Sequence, residues 1–136
     1  MDALKQEYAR ILQGLQIDRF NLDEDKYSGV FLPDPFEEYW TATTKVMLVG
    51  RETAGWNTDN NKNTIKRAAG LGSVSVSEVV DESLGRYRRH FELKGDKLVE
   101  TSRSRFMQYY FRLARELGLD PRALIYANLF AWDYDK

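Results

Sequence analysis

The 136 residues contain no cysteine, which excludes disulfides, thiolate catalysis and cysteine-held metal clusters. One histidine is present, too few for the usual zinc ligand sets. No apolar run approaches the length of a membrane span, and no charged segment leads into an apolar one near the N-terminus. The expectation is therefore a cytoplasmic chain with no membrane partner, no metal and no cofactor. A net charge of −1 argues against a protein that coats nucleic acid without specificity.

What is present is ordinary globular material, 43% hydrophobic and 30% charged. Its length fits a single domain over residues 1–136, long enough to bury a core. The charge is uneven: residues 1–40 carry four basic groups against nine acidic ones, and residues 62–105 carry ten against six. The second stretch holds Arg86, Arg88, Arg89, Arg103 and Arg105, a candidate patch for phosphates; two ordinary solvated faces are the plain alternative.

The periodicity of Leu4, Tyr8, Ile11, Leu12 and Leu15 predicts an amphipathic helix over residues 2–16. An acidic connection over 18–35, broken by Gly29, Pro33 and Pro35, leads to a helical turn at 36–39. KVMLVG at 45–50 reads as a short strand buried on both faces of a parallel sheet. A long polar loop follows at 51–63, then a short helix at 64–69. Ser75 and Glu78 have capping-box spacing for a helix at 77–92. A turn is expected at Gly95 and Asp96. Phe106, Tyr109, Tyr110, Leu113 and Leu117 mark another helix, stopped by Gly118. ALIYANLF at 123–130 is the second buried strand, with an exit loop at 132–136.

Two buried strands joined through helices imply a parallel pair with a right-handed crossover. Ligands in such sheets bind at the carboxyl ends of the strands. Residues 50–57 and 128–133 are thus expected side by side. Two strands are few for independent stability. Residues 30–32 or 74–76 would supply another, or a partner chain would, or the sequence continues beyond Lys136. The last is the expectation here.

Gly50-Arg-Glu-Thr-Ala-Gly55 has the glycine spacing of a P-loop, but Trp56 and Asn57 stand where lysine and a hydroxyl are needed. Nucleotide hydrolysis is unsupported. Glu52, two residues past the strand, suits a carboxylate that orients a water or steadies a developing cation; an exposed loop acid or helix cap is the alternative. Asn128, set among apolar residues, presents a donor and an acceptor together, as a nucleobase edge requires; a structural amide bonded to backbone is equally open. Trp56 suits stacking on a base or covering of core. His90 reads as a helix-surface residue. Asp133 and Asp135 alone are weak material for a cation site.

With both strand-end motifs placed, the pattern resembles the uracil-DNA glycosylase superfamily. Its members carry an apolar strand running into Gly-Gln-Asp-Pro-Tyr-His or Gly-Glu-Ala-Pro-Gly, and a later strand ending at a base-reading asparagine. Here VMLVGRETAG at 46–55 looks like the first and LIYANLFAW at 124–132 like the second. The resemblance implies a three-layer α/β fold with a parallel central sheet flanked by helices, and a DNA-repair hydrolase acting on a flipped base. It places Glu52 at the position of the family's water-activating aspartate and Asn128 as the base reader, with Gly50, Arg51, Thr53, Trp56 and Asn57 around the substrate. The implied partner is DNA or a nucleotide. Thr53 and Ala54 stand where the family has proline and a thymine-excluding tyrosine. A His-Pro-Ser segment does not occur up to Lys136. A non-catalytic nucleotide- or nucleic-acid-binding module is the alternative.

Overall fold

The computed structural model describes residues 2–15, 17–19, 29–51, 75–91, 93–94, 97–98 and 105–130. They form a mixed α/β arrangement in which a two-stranded parallel sheet is flanked by helices. In chain order the elements are α1 (Asp2–Gln13), α2 (Glu37–Thr41), β1 (Met47–Gly50), α3 (Val76–Arg88), β2 (Leu93–Lys94), β3 (Lys97–Leu98), α4 (Arg105–Glu116) and β4 (Ile125–Asn128). Short 3-10 turns occupy Ile17–Arg19, Arg89–Phe91 and Pro121–Ala123. The loop after residue 51, the short helix at 64–69, the turn at 95–96 and the exit loop at 132–136 lie outside the described residues. None of the described helices is long and apolar enough to cross a membrane.

The helix boundaries follow from local chemistry. Ser75 Oγ accepts from the Glu78 amide at 3.2 Å while the Glu78 carboxylate accepts from the Ser75 amide at 2.8 Å, the expected capping box of α3. α4 ends at Gly118, whose φ of 66° is open to glycine, and Leu119 closes the turn with a 2.9 Å bond to the Ala114 carbonyl. Asp120 then caps the next 3-10 turn through the Arg122 amide.

β1 and β4 pair in parallel, Met47 opposite Ile125 and Gly50 opposite Asn128, as the two apolar runs predict. Two expectations fail. β1 is not buried on both faces: Met47 is 53% and Val49 49% exposed, so the described elements cover one face of that strand only. Neither candidate third strand forms. Ser75 caps and Val76 starts α3, and Val30, Phe31 and Leu32 are buried but are not part of a strand. Two of their backbone groups go to one side chain. Ser83 Oγ accepts from the Leu32 amide at 3.0 Å and donates to the Val30 carbonyl at 2.7 Å.

The core has two parts. Leu12 of α1 and Val79, Val80 and Leu84 of α3 enclose Val30 and Leu32. An aromatic cluster of Phe31, Tyr87, Phe91, Tyr110, Phe111 and Tyr126 joins α3 and α4 to the sheet. At its centre the Tyr87 and Tyr126 rings stack, 4.2 Å apart and 8° from parallel. The Tyr87 hydroxyl donates to the Tyr126 carbonyl at 3.1 Å and accepts from its amide at 3.0 Å. Ile125 and Leu129 give their amides to β1, so Tyr126 between them turns its peptide groups to the outer edge. One phenol therefore takes the place that a third strand would fill.

Candidate functional site at the carboxyl end of the parallel pair

Pairing continues past the strand ends, because the Leu129 amide bonds the Gly50 carbonyl at 2.9 Å and the Phe130 amide that of Arg51 at 3.1 Å. The two strand-end segments predicted to converge do so as far as Arg51 and Phe130.

Alternation along the strands puts Gly50 and Asn128 on the same face as Tyr126. The Asn128 side chain lies over the Gly50 backbone. A β-carbon added at position 50 would sit 2.6 Å from Asn128 Oδ1 and 3.2 Å from Phe106 Cε2. A side chain there would push the Asn128 amide or the Phe106 ring aside, so glycine suits this close approach. Asn128 is half-buried, and no described residue hydrogen-bonds its amide. The structural alternative, an asparagine satisfied by neighbouring backbone, finds no support among those residues.

Phe106, in the first turn of α4, completes this group and packs edge-on to Tyr126 at 6.2 Å. The periodicity places it in the core, and its role at the site is not legible from hydropathy. Topology carries the signal: in a strand–helix–strand crossover, the helix preceding the last strand starts at the carboxyl end of the sheet. Beyond the strands, Arg51, Leu129 and Phe130 are exposed.

Glu52, Thr53, Trp56 and Asn57 lie outside the described residues, as does Arg103. Arg86 and Arg88 lie on α3, Arg89 in the 3-10 turn that follows it, and Arg105 at the start of α4. Arg88 pairs with the buried Asp34 carboxylate and lies 4.4 Å from the Phe36 ring centre, so its charge is committed inside the fold. The other Asp34 oxygen is buried and has no hydrogen-bond partner among the described residues. Burial, the Tyr110 phenol and the nearby Arg86 guanidinium set the Tyr126 phenol, the first two raising its pKa and Arg86 opposing them. Arg89 and Arg105 face solvent on different elements. Of the predicted basic residues, Arg88 is thus paired with a buried acid.

A cleft of about 560 Å³ opens at the opposite, amino end of the strands, between Glu38, Thr43, Val46, Leu119 and Asp120. Arg122 sits 3.0 Å from Asp120 and 3.8 Å from Glu38, and its hydrogen bond holds the Asp120 carboxyl below its usual pKa. The single Arg122 guanidinium thus faces both acids of that cleft, and Asp120 more closely. Among the described residues no group of three metal-ligating side chains converges. No protein-family model, curated protein or solved structure matches the chain, so its chemistry is argued from the strand-end geometry itself.

Proposed function

We propose that the carboxyl end of the parallel pair receives a flipped base, and that the chain is a uracil-DNA-glycosylase-like protein that hydrolyses the N-glycosidic bond of that base in DNA. The observation supporting this reading is the Asn128 amide, held over Gly50 beside Phe106 with no described hydrogen-bond partner. Such an amide matches a nucleobase edge, which also presents a donor beside an acceptor. The parallel pair with its site at the carboxyl ends is compatible with the three-layer fold that the motifs imply.

In this mechanism Asn128 reads the base edge and Gly50 lets the backbone approach the ligand. Glu52, two residues beyond β1, orients the attacking water or balances the oxocarbenium-like sugar as the bond to the base breaks. The leaving base takes the electron pair of that bond. Thr53, Trp56 and Asn57 border the substrate on the loop that carries Glu52, and Arg51 contributes its backbone. A second reading is a non-catalytic module that binds a nucleotide or nucleic acid on the same surface. Thr53 and Ala54, at the motif's proline and tyrosine positions, favour it.

Single-turnover cleavage of uracil-containing single-stranded and duplex DNA separates the two. The first reading expects cleavage by the wild type and a lowered rate with nearly unchanged binding in Glu52→Gln, because that charge matters mainly in the transition state. Binding without cleavage selects the second reading. A wild type that neither binds nor cleaves rejects both.

A further inference from the structure

The exposed side of α4 carries Arg105, Gln108, Tyr109, Arg112, Arg115 and Glu116. At 3.6 residues per turn Arg105, Tyr109 and Arg112 fall within one narrow stripe. Tyr109 is 58% exposed, the most open aromatic residue on any described helix. Arg105 and Arg112 form no ion pair with a described residue. In a chain of net charge −1, two cations without an ion-pair partner among the described residues, set around an exposed aromatic ring, are a local departure.

The stripe also has a position. Arg105 adjoins Phe106, which packs at the strand-end group of Gly50 and Asn128. From there the stripe runs away down the helix to Arg112, about 10 Å at 1.5 Å per residue. Glu116, a turn further on, bounds it with opposite charge.

We propose that this face of α4 is a track for single-stranded nucleic acid leading to the strand-end site. Arg105 and Arg112, about 10 Å apart along the helix axis, contact different phosphates of the same strand. Tyr109, between them, stacks on an unpaired base, which a single strand offers and a closed duplex does not. The track rests on the reading of the strand end as a base site, but it is tested by binding rather than by cleavage.

The measurement is fluorescence anisotropy with a short labelled oligothymidylate, titrated at several salt concentrations. The wild type binds, with affinity falling as salt rises. Replacing both Arg105→Gln and Arg112→Gln lowers the slope of log affinity against log salt by about 1.4, or 0.7 per lost phosphate contact. Tyr109→Ala weakens binding by at least about fivefold, the lower end of the stacking range, and Tyr109→Phe restores it. These side chains are exposed, so urea midpoints stay at the wild-type value and exclude unfolding as the cause. An unchanged slope in the double variant overturns the track, as does an oligothymidylate that fails to bind at low salt. Binding only to phosphatidylglycerol vesicles also overturns it and reassigns the face to a lipid surface. A track that behaves as expected in a protein without uracil excision leaves this inference standing and removes only the hydrolase reading.

Discussion

Tyr126 and Asn128 lie two residues apart on β4 and share a face, yet the fold treats them oppositely. Tyr126 is 3% exposed, and the Tyr87 phenol takes up both of its peptide groups. Asn128, at the strand end, is half-buried with no described partner for its amide. Unmet hydrogen-bonding capacity in a protein interior costs free energy and is normally removed. The first position shows that this fold can complete such capacity with a single side chain from α3. Asn128 differs: its half-buried amide makes no such bond to a described residue and is not a sealed, unpaired group like the second Asp34 oxygen, which leaves it available for the reading role proposed for it.

The largest expected effect belongs to the enclosed side and appears at high pH. Burial raises the pKa values of Tyr87, Tyr110 and Tyr126 above the ordinary 10.0. Burial and then the nearby Asp34 carboxylate push Tyr8 up to about 12. Below pH 10 the phenols are protonated in both folded and unfolded chains, and this contribution to stability is complete. Above it the unfolded chain releases protons that the folded chain retains. Each retained proton then costs about 1.4 kcal/mol of stability per pH unit. With three deeply buried phenols the loss approaches roughly 4 kcal/mol per pH unit, an upper figure because the rings interact. Urea midpoints flat through neutral pH and falling steeply above pH 10 are the expected result. A flat profile at high pH would mean that the phenols reach solvent.

Next in size is Tyr87→Phe, which keeps the ring and removes only the hydroxyl. Two peptide groups of Tyr126 lose the Tyr87 hydroxyl, at about 1–3 kcal/mol each, for a loss of roughly 2–6 kcal/mol in urea unfolding. A loss below about 0.5 kcal/mol would show that water replaces the hydroxyl at that edge, and the contrast with Asn128 would disappear.

What could be read in advance divides along the same line. The apolar runs 45–50 and 123–130 mark two strands and their parallel pairing, because short apolar segments between helices have few alternatives. Ser75 and Glu78 mark the α3 cap, because a capping box is a local pattern. The exposure of Met47 and Val49 was not legible: an apolar run shows that a strand is hydrophobic, not which neighbours arrive to cover it. Nor was the fate of residues 30–32. A helical Ser83, more than fifty positions away, takes the backbone bonds that a strand partner would have made. Arg88 read as part of a basic cluster because its partner, Asp34, is equally distant in sequence. At the site, Gly50 and Asn128 stood out as motif residues, whereas Phe106 was hidden among core positions by its periodicity.

The smallest expected effect on stability is the sharpest test of the comparison. Asn128→Ala removes an amide with no described partner, so its urea midpoint should move by no more than about 0.5 kcal/mol. Binding of a base-containing ligand should weaken by about 1–3 kcal/mol, the scale of a lost buried partner. Gly50→Ala works from the other side. Its β-carbon would meet Asn128 Oδ1 at 2.6 Å, displacing the amide and costing roughly 1–3 kcal/mol as overpacking. In the double variant the clashing oxygen is gone and only the 3.2 Å approach to Phe106 remains, so the penalty of Gly50→Ala should shrink. The expected coupling is at least about 0.5 kcal/mol, the threshold for residues in contact. If the two substitutions simply add, the amide does not rest over Gly50 in solution. If Asn128→Ala alone costs as much as Tyr87→Phe, Asn128 is structural in the same sense as Tyr126, and the proposed base site loses its proposed reader.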